Sequence, residues 1–123
     1  MKNKKILIVL VVALVGVLFF SFKSSEMGDG KYDDFAKCLT ENGAKMYGSA
    51  WCGHCKEQKK NFGSSWEYIN YIECEENIGD GQIPECLSAE ITGYPTWEFA
   101  DGSRMPGKIL LQQLGSITDC PFN

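Results

Sequence analysis

Cys52-Gly53-His54-Cys55 sets two thiols on either side of a dipeptide, just after a short apolar stretch, Ala44 to Gly48, and just before a lysine-rich segment. The pattern predicts a strand running into a helix whose first turn carries both cysteines. A cysteine at a helix N-terminus faces unpaired backbone N–H groups and the positive end of the helix dipole, and both favour thiolate over thiol. Cys52 is therefore the expected nucleophile. Cys55, one turn on, is placed to attack a mixed disulfide formed at Cys52 and release it. His54, the only histidine in the chain, is expected to stabilise the Cys52 thiolate further while it is protonated or donating a hydrogen bond. The chemistry implied is thiol–disulfide exchange. An inert bridge would use the same two residues, and so would half of a zinc site. Zinc normally needs a second closely spaced Cys or His pair, and Cys74 and Cys86 stand too far apart to supply one.

The elements that must position these thiols follow in chain order. Tyr32, Phe35, Ala36 and Leu39 recur at helical spacing behind Asp33 and Asp34, and Asn42-Gly43 stops that helix. Ala44 to Gly48 reads as a central strand and Cys52 to Phe62 as the helix that follows. Trp66 to Glu73, rich in aromatic and β-branched residues, reads as a strand beside the first. Residues 75–82 are acidic with two glycines and read as a solvated loop. Pro84 suits the first turn of a short helix through Ala89, and Gly93 breaks the chain before Pro95. Thr96 to Phe99 and Ser103 to Met105 form a hairpin around Ala100-Asp101-Gly102. Leu110, Leu111, Leu114 and Ile117 give a last amphipathic helix. This alternation predicts an α/β domain with a mixed central sheet flanked by helices on both faces.

A chain of 123 residues holds one such domain, and its first 23 residues belong to something else. Lys2, Lys4 and Lys5 precede an apolar run, Ile6 to Phe22, interrupted only by Gly16 and Ser21. That length is near the lower limit for a membrane span and longer than the core of a signal peptide. The expectation is an uncleaved N-terminal transmembrane anchor over 1–23, with a removed signal peptide as the alternative. Residues 24–31 form a polar, glycine-containing linker, and 32–123 form the domain. The lysines should stay in the cytoplasm, leaving a single-pass protein of the cell membrane with its domain on the extracytoplasmic side. Six cysteines agree with an oxidising exterior. Four of the twelve Lys and Arg lie in the first 23 residues, which hold no acid, so the exported part carries about −8. Nucleic acid is not an expected partner, because such a surface repels phosphate.

The segment Trp51-Cys52-Gly53-His54-Cys55-Lys56 resembles the active-site motif of the thioredoxin superfamily, with the inter-cysteine dipeptide of protein disulfide isomerases. Gly93-Tyr94-Pro95-Thr96 resembles the loop in which thioredoxin-like proteins carry a cis-proline facing the disulfide. Together with Lys45-Met46-Tyr47-Gly48-Ser49-Ala50 and Tyr68-Ile69-Asn70-Tyr71-Ile72-Glu73-Cys74, these motifs are most similar to the thioredoxin-like domain that accompanies bacterial and archaeal vitamin K epoxide reductase homologues. The resemblance spans roughly Tyr32 to Leu114 and implies a thioredoxin fold. It implies catalytic roles for Cys52, Cys55 and His54, with Trp51, Tyr94 and Pro95 at the substrate groove. A bridge between Cys74 and Cys86 would pin the acidic loop, and the resemblance supports it as a structural disulfide; a second redox pair is the alternative. Cys38 and Cys120 are left by exclusion as a possible second bridge, one of many pairings that six cysteines allow.

One departure stands out. Six residues before the nucleophile the family usually carries a buried acid that deprotonates the resolving cysteine, and this chain has Met46. The expected consequence is slow resolution by Cys55, or the use of water or Lys45 instead.

The implied function is thiol–disulfide oxidoreduction outside the cytoplasm, with no cofactor beyond the Cys52–Cys55 disulfide and no metal. The partners implied are secreted protein thiols and disulfides and an integral-membrane vitamin K epoxide reductase homologue that reoxidises the pair. A reductase serving cytochrome maturation or repair, a binding or chaperone module without turnover, and a metal-binding module are the alternatives.

Overall fold

The computed structural model describes residues 2–20 and 30–123, with side chains along the first helix described for residues 3–15. That helix, α1, spans Lys2–Phe20. The expected membrane segment, Ile6 to Phe22, and the linker after it lie partly outside the described residues. Among the described residues no helix is long and apolar enough to cross a membrane. The run whose side chains are described, residues 6–15, is exposed and apolar throughout, and is shorter than the roughly 20 residues a span requires.

The domain runs α2 (Asp33–Glu41), β1 (Lys45–Ser49), α3 (Gly53–Phe62), a 3-10 turn (Gly63–Tyr68), β2 (Tyr71–Glu75), α4 (Pro84–Ser88), β3 (Thr96–Glu98), β4 (Arg104–Pro106) and α5 (Leu111–Thr118). The strands form one sheet in the order β2-β1-β3-β4. β1 pairs with β2 in parallel and with β3 antiparallel, and β3 pairs antiparallel with β4. The sheet is therefore mixed, with β1 inside it, one residue on from the central strand expected over Ala44 to Gly48. This arrangement is compatible with a thioredoxin fold.

Strand alternation sorts the side chains onto two faces. Met46 and Trp97, both fully buried, join Phe35, Ala36 and Leu39 of α2, Phe62 of α3 and Leu111 and Leu114 of α5 in the larger core. Tyr47 points the other way, into a smaller core with Cys74, Cys86 and Ile91 beside α4. Full burial of a leucine such as Leu39 or Leu114 contributes roughly 1.5–3 kcal/mol, so the helix stripes rather than helix propensity hold these short elements in place. α5 closes on α2 at Gly115, where a Cβ would stand 3.4 Å from the Phe35 ring and 2.7 Å from the carbonyl oxygen of Cys120, just past α5.

The expectation of a strand from Trp66 is corrected. Gly63, with φ of 59°, ends α3, and residues through Tyr68 turn in a 3-10 helix before β2 begins at Tyr71. Trp66 instead packs on Phe62 and Tyr71, with ring centroids 5.7 and 5.4 Å away. The aromatic content of this stretch serves the core and not a pleated ladder, a tertiary override of strand propensity.

Lys45, proposed from the sequence as a substitute base for Cys55, is committed elsewhere. Its Nζ lies 2.9 Å from Glu98 Oε1, and Arg104 holds the other carboxylate oxygen. Burial pushes the Glu98 carboxyl up, but Lys45 and Arg104 outweigh it and hold the group below its usual range. The cluster staples β1, β3 and β4 together, and it stays charged at neutral pH.

Candidate active site

Cys52 is the N-cap of α3, with extended backbone angles of φ −76° and ψ 120°. Its carbonyl accepts the first helical bond, from the Lys56 N–H at 3.1 Å, and its Sγ accepts from the Cys55 N–H at 3.2 Å. A sulfur at this position meets one of the orphan donors of the first turn and faces the positive end of the helix. Cys52 and Cys55 are both free thiols. They differ in access: Cys52 keeps 7% exposure and Cys55 none. An incoming sulfur therefore reaches Cys52 first.

The buried partner is chemically different. Burial is the largest influence on the Cys55 thiol and pushes it up to about 12, with a hydrogen bond to Cys52 adding to the effect. The Ser49 main chain and the Lys59 charge pull weakly the other way. Cys55 is thus a thiol at neutral pH, and any step in which it attacks or leaves as a thiolate must also move a proton.

α3 is fixed under the site by a residue the sequence reading did not single out. Gln58 is fully buried. Its Oε1 accepts from the Ile109 N–H at 2.7 Å and the Trp97 indole N–H at 3.3 Å, while its Nε2 donates to the Ile109 carbonyl at 3.0 Å. A buried amide bonded through both its oxygen and its nitrogen costs little and locks the helix to β3 and to the segment before α5. The only signal in the sequence was the helical spacing of Gln58 between Cys55 and Phe62, the other buried positions of the helix.

Pro95 is fully buried, and the Tyr94–Pro95 peptide bond is cis. The loop meets the cysteine motif through aromatic contact: the Tyr94 ring lies edge-on to Trp51, centroids 5.9 Å apart. Tyr94 Oη is also within 2.6 Å of Gln82 Nε2, tying the proline loop to the acidic loop. Trp51 stays 40% exposed, so the rim of the site has an aromatic surface open to solvent. His54 turns outward. Its side chain is 73% exposed, with Nδ1 3.9 Å from Glu57 Oε2, itself bonded to Lys108.

The other cysteines sit apart from this chemistry in two disulfides. Cys74 bonds Cys86, joining β2 to α4 around the acidic loop, and Cys38 bonds Cys120, joining α2 to the chain after α5. Among the described residues no group of three His, Cys, Asp or Glu is placed to hold a metal ion.

Compared with curated proteins, the chain is similar to the thiol-disulfide oxidoreductase LTO1 of Arabidopsis thaliana, with 41% identity over 87 residues. The aligned stretch is 68% of this chain and 23% of that protein, so the chain spans about a quarter of the relative's length. No protein-family profile matches the chain.

Proposed function

We propose that the chain is a thiol–disulfide oxidoreductase working through Cys52 and Cys55, and that it oxidises exported protein thiols. The observation that carries this reading is the asymmetry of the two free thiols: one caps a helix and keeps a small exposed edge, 7%, for an incoming sulfur, the other lies sealed beneath it. A substrate thiolate attacks Cys52 of the Cys52–Cys55 disulfide, the S–S bond breaks, and Cys55 leaves and takes up a proton. A second substrate thiolate then attacks the substrate sulfur of the mixed disulfide and displaces Cys52. The substrate dithiol loses two electrons and the cysteine pair gains them. Run in reverse, the same steps make a reductase.

The named activity of the similar plant protein supports the reaction class. The apolar, exposed residues 6–15 behind Lys4 and Lys5 support an N-terminal anchor with the domain outside the cytoplasm. The motif resemblance supports reoxidation by a membrane-embedded vitamin K epoxide reductase homologue. Trp51, Tyr94 and Pro95 form the substrate rim, and His54, two residues after Cys52 in the motif, is the residue assigned to assist its thiolate.

Cys55→Ser in the full-length chain tests this reading, because Cys52 of the variant still exchanges into the disulfides of its partners but has lost the intramolecular thiol that would release them. Membranes from cells expressing the variant are expected to yield adducts on non-reducing gels that vanish with dithiothreitol, one of them to an integral-membrane protein. Full-length chain in the soluble cytosolic fraction would end the anchor, adducts to exported proteins alone would end the membrane oxidant, and no adducts at all would end the reading.

A further inference from the structure

Cys55 needs a route for its proton, and the position of the family's buried acid is filled by Met46, which is fully buried and carries no titratable group. The neighbouring strand offers another route. β1 and β2 run parallel with Met46 beside Tyr71 and Gly48 beside Glu73, so Tyr71 and Glu73 share the sheet face that α3 covers. Gly48 leaves a gap there. A Cβ on it would stand 3.0 Å from Cys55 Sγ, 3.0 Å from Tyr71 Oη and 2.8 Å from Tyr71 Cε2. The phenol and the resolving sulfur therefore converge on the space that the missing side chain vacates. From that position Tyr71 donates a 2.8 Å hydrogen bond to Glu73 Oε2, and Glu73 Oε1 accepts from the Ala50 N–H at 2.8 Å. Glu73 is only half-buried, which gives the chain of bonds an outlet to water.

We propose that Tyr71 and Glu73 form the proton path of Cys55, in place of the buried acid that Met46 replaces. When Cys55 attacks a mixed disulfide on Cys52, its S–H turns across the gap at Gly48 to meet Tyr71 Oη and gives up its proton there as the phenol proton passes to the Glu73 carboxylate. The Cys52–Cys55 bond forms, the substrate sulfur leaves as a thiolate, and Glu73 gives its proton to solvent. In the oxidising direction the same path delivers a proton to the departing Cys55. Burial, followed by the bond to Glu73, pushes the Tyr71 phenol upward, so it stays protonated and works as a relay rather than a standing base. The charged and titratable groups around it are Cys52, Cys55 and Lys59 of α3, and Glu73 on its own strand. Lys59 Nζ sits 4.0 Å from the ring centroid and Trp66 packs alongside, so a phenylalanine keeps the same seat.

The inference rests on the exchange reading of Cys52 and Cys55, and the test separates the two. Reduced full-length protein is mixed with 5,5′-dithiobis(2-nitrobenzoate) and the release of nitrothiobenzoate followed from pH 6 to 9. The first equivalent reports attack by Cys52, the second attack by Cys55. Tyr71→Phe and Glu73→Gln are expected to leave the first phase within about twofold and to slow the second about tenfold to a hundredfold at neutral pH, with Glu73→Asp restoring part of it. In those variants the second phase should climb about tenfold per pH unit, because it then waits on spontaneous ionisation of Cys55. The wild-type profile should be shallower. An unchanged second phase, or equal slowing of both phases, would overturn the relay while leaving exchange intact. A wild-type protein that releases nothing would overturn the exchange reading itself.

Discussion

Cys52→Ser is expected to lower the rate of exchange with glutathione disulfide by a factor of about 10³ or more while leaving the fold intact. The reason lies in what remains. Cys55 has no exposure, and burial, the largest influence raising its thiol, remains in the variant, so at pH 7 it stays a covered thiol and not a thiolate. The substituted serine is no nucleophile at this pH, yet its oxygen still caps α3 by accepting from the Cys55 N–H, as Cys52 Sγ does. Stopped-flow exchange kinetics with a thermal unfolding curve on the same sample check both halves. Residual exchange above a tenth of wild type would move the nucleophile elsewhere.

The largest expected loss of stability comes from the Cys38→Ala/Cys120→Ala double variant. These residues are 82 apart in sequence, and a cross-link over a loop of that size removes unfolded-state entropy worth about 4–5 kcal/mol. In a domain this small, each kcal/mol is worth about 4–8 °C, so the unfolding midpoint should fall by about 20 °C or more. Folded-state contacts add to it. Asn42 donates to the Thr118 carbonyl at 2.8 Å, and Phe122 stacks on Tyr32, contacts that hold only while the C-terminal segment stays down. Cys74→Ala/Cys86→Ala removes a bridge across a sequence separation of only 12 and should cost less, about 3 kcal/mol. Differential scanning calorimetry with and without reductant measures both, and a shift under about 5 °C for the first pair would contradict the loop argument.

What could be read from the chain follows from how local each cause is. The capping role of Cys52 depends on residues within one turn of it, and the helix start could be placed from the motif alone. Helix α2 and the β3–β4 hairpin were likewise legible, because Asp33, Asp34 and Asp101-Gly102 mark their ends. Trp66 to Tyr68 misled because the same aromatic residues suit a strand and a core, and only Gly63 with its positive φ decides between them. The pairing of Cys38 with Cys120 depends on α5 folding back against α2, which no local pattern states. Tyr71 and Glu73 show the two-residue alternation of one strand face. Their nearness to Cys55 needs the parallel register with β1 and the absence of a side chain at Gly48, neither of which the alternation contains. Lys45 lay on the other face of β1 and was taken by Glu98.

The most direct test of the account is the redox titration of Cys52 and Cys55 in the full-length protein. Equilibrate it with glutathione buffers across a wide ratio of thiol to disulfide, quench by alkylation, and read each cysteine by mass spectrometry. The account predicts that Cys52 and Cys55 change state together as a two-electron pair, while Cys38, Cys120, Cys74 and Cys86 stay bonded. It places the midpoint nearer the about −180 mV of a disulfide isomerase than the about −270 mV of thioredoxin. A midpoint at the thioredoxin end would turn the proposed oxidase into a reductase. Cys52 and Cys55 that remain alkylated as thiols at every ratio would contradict the central claim.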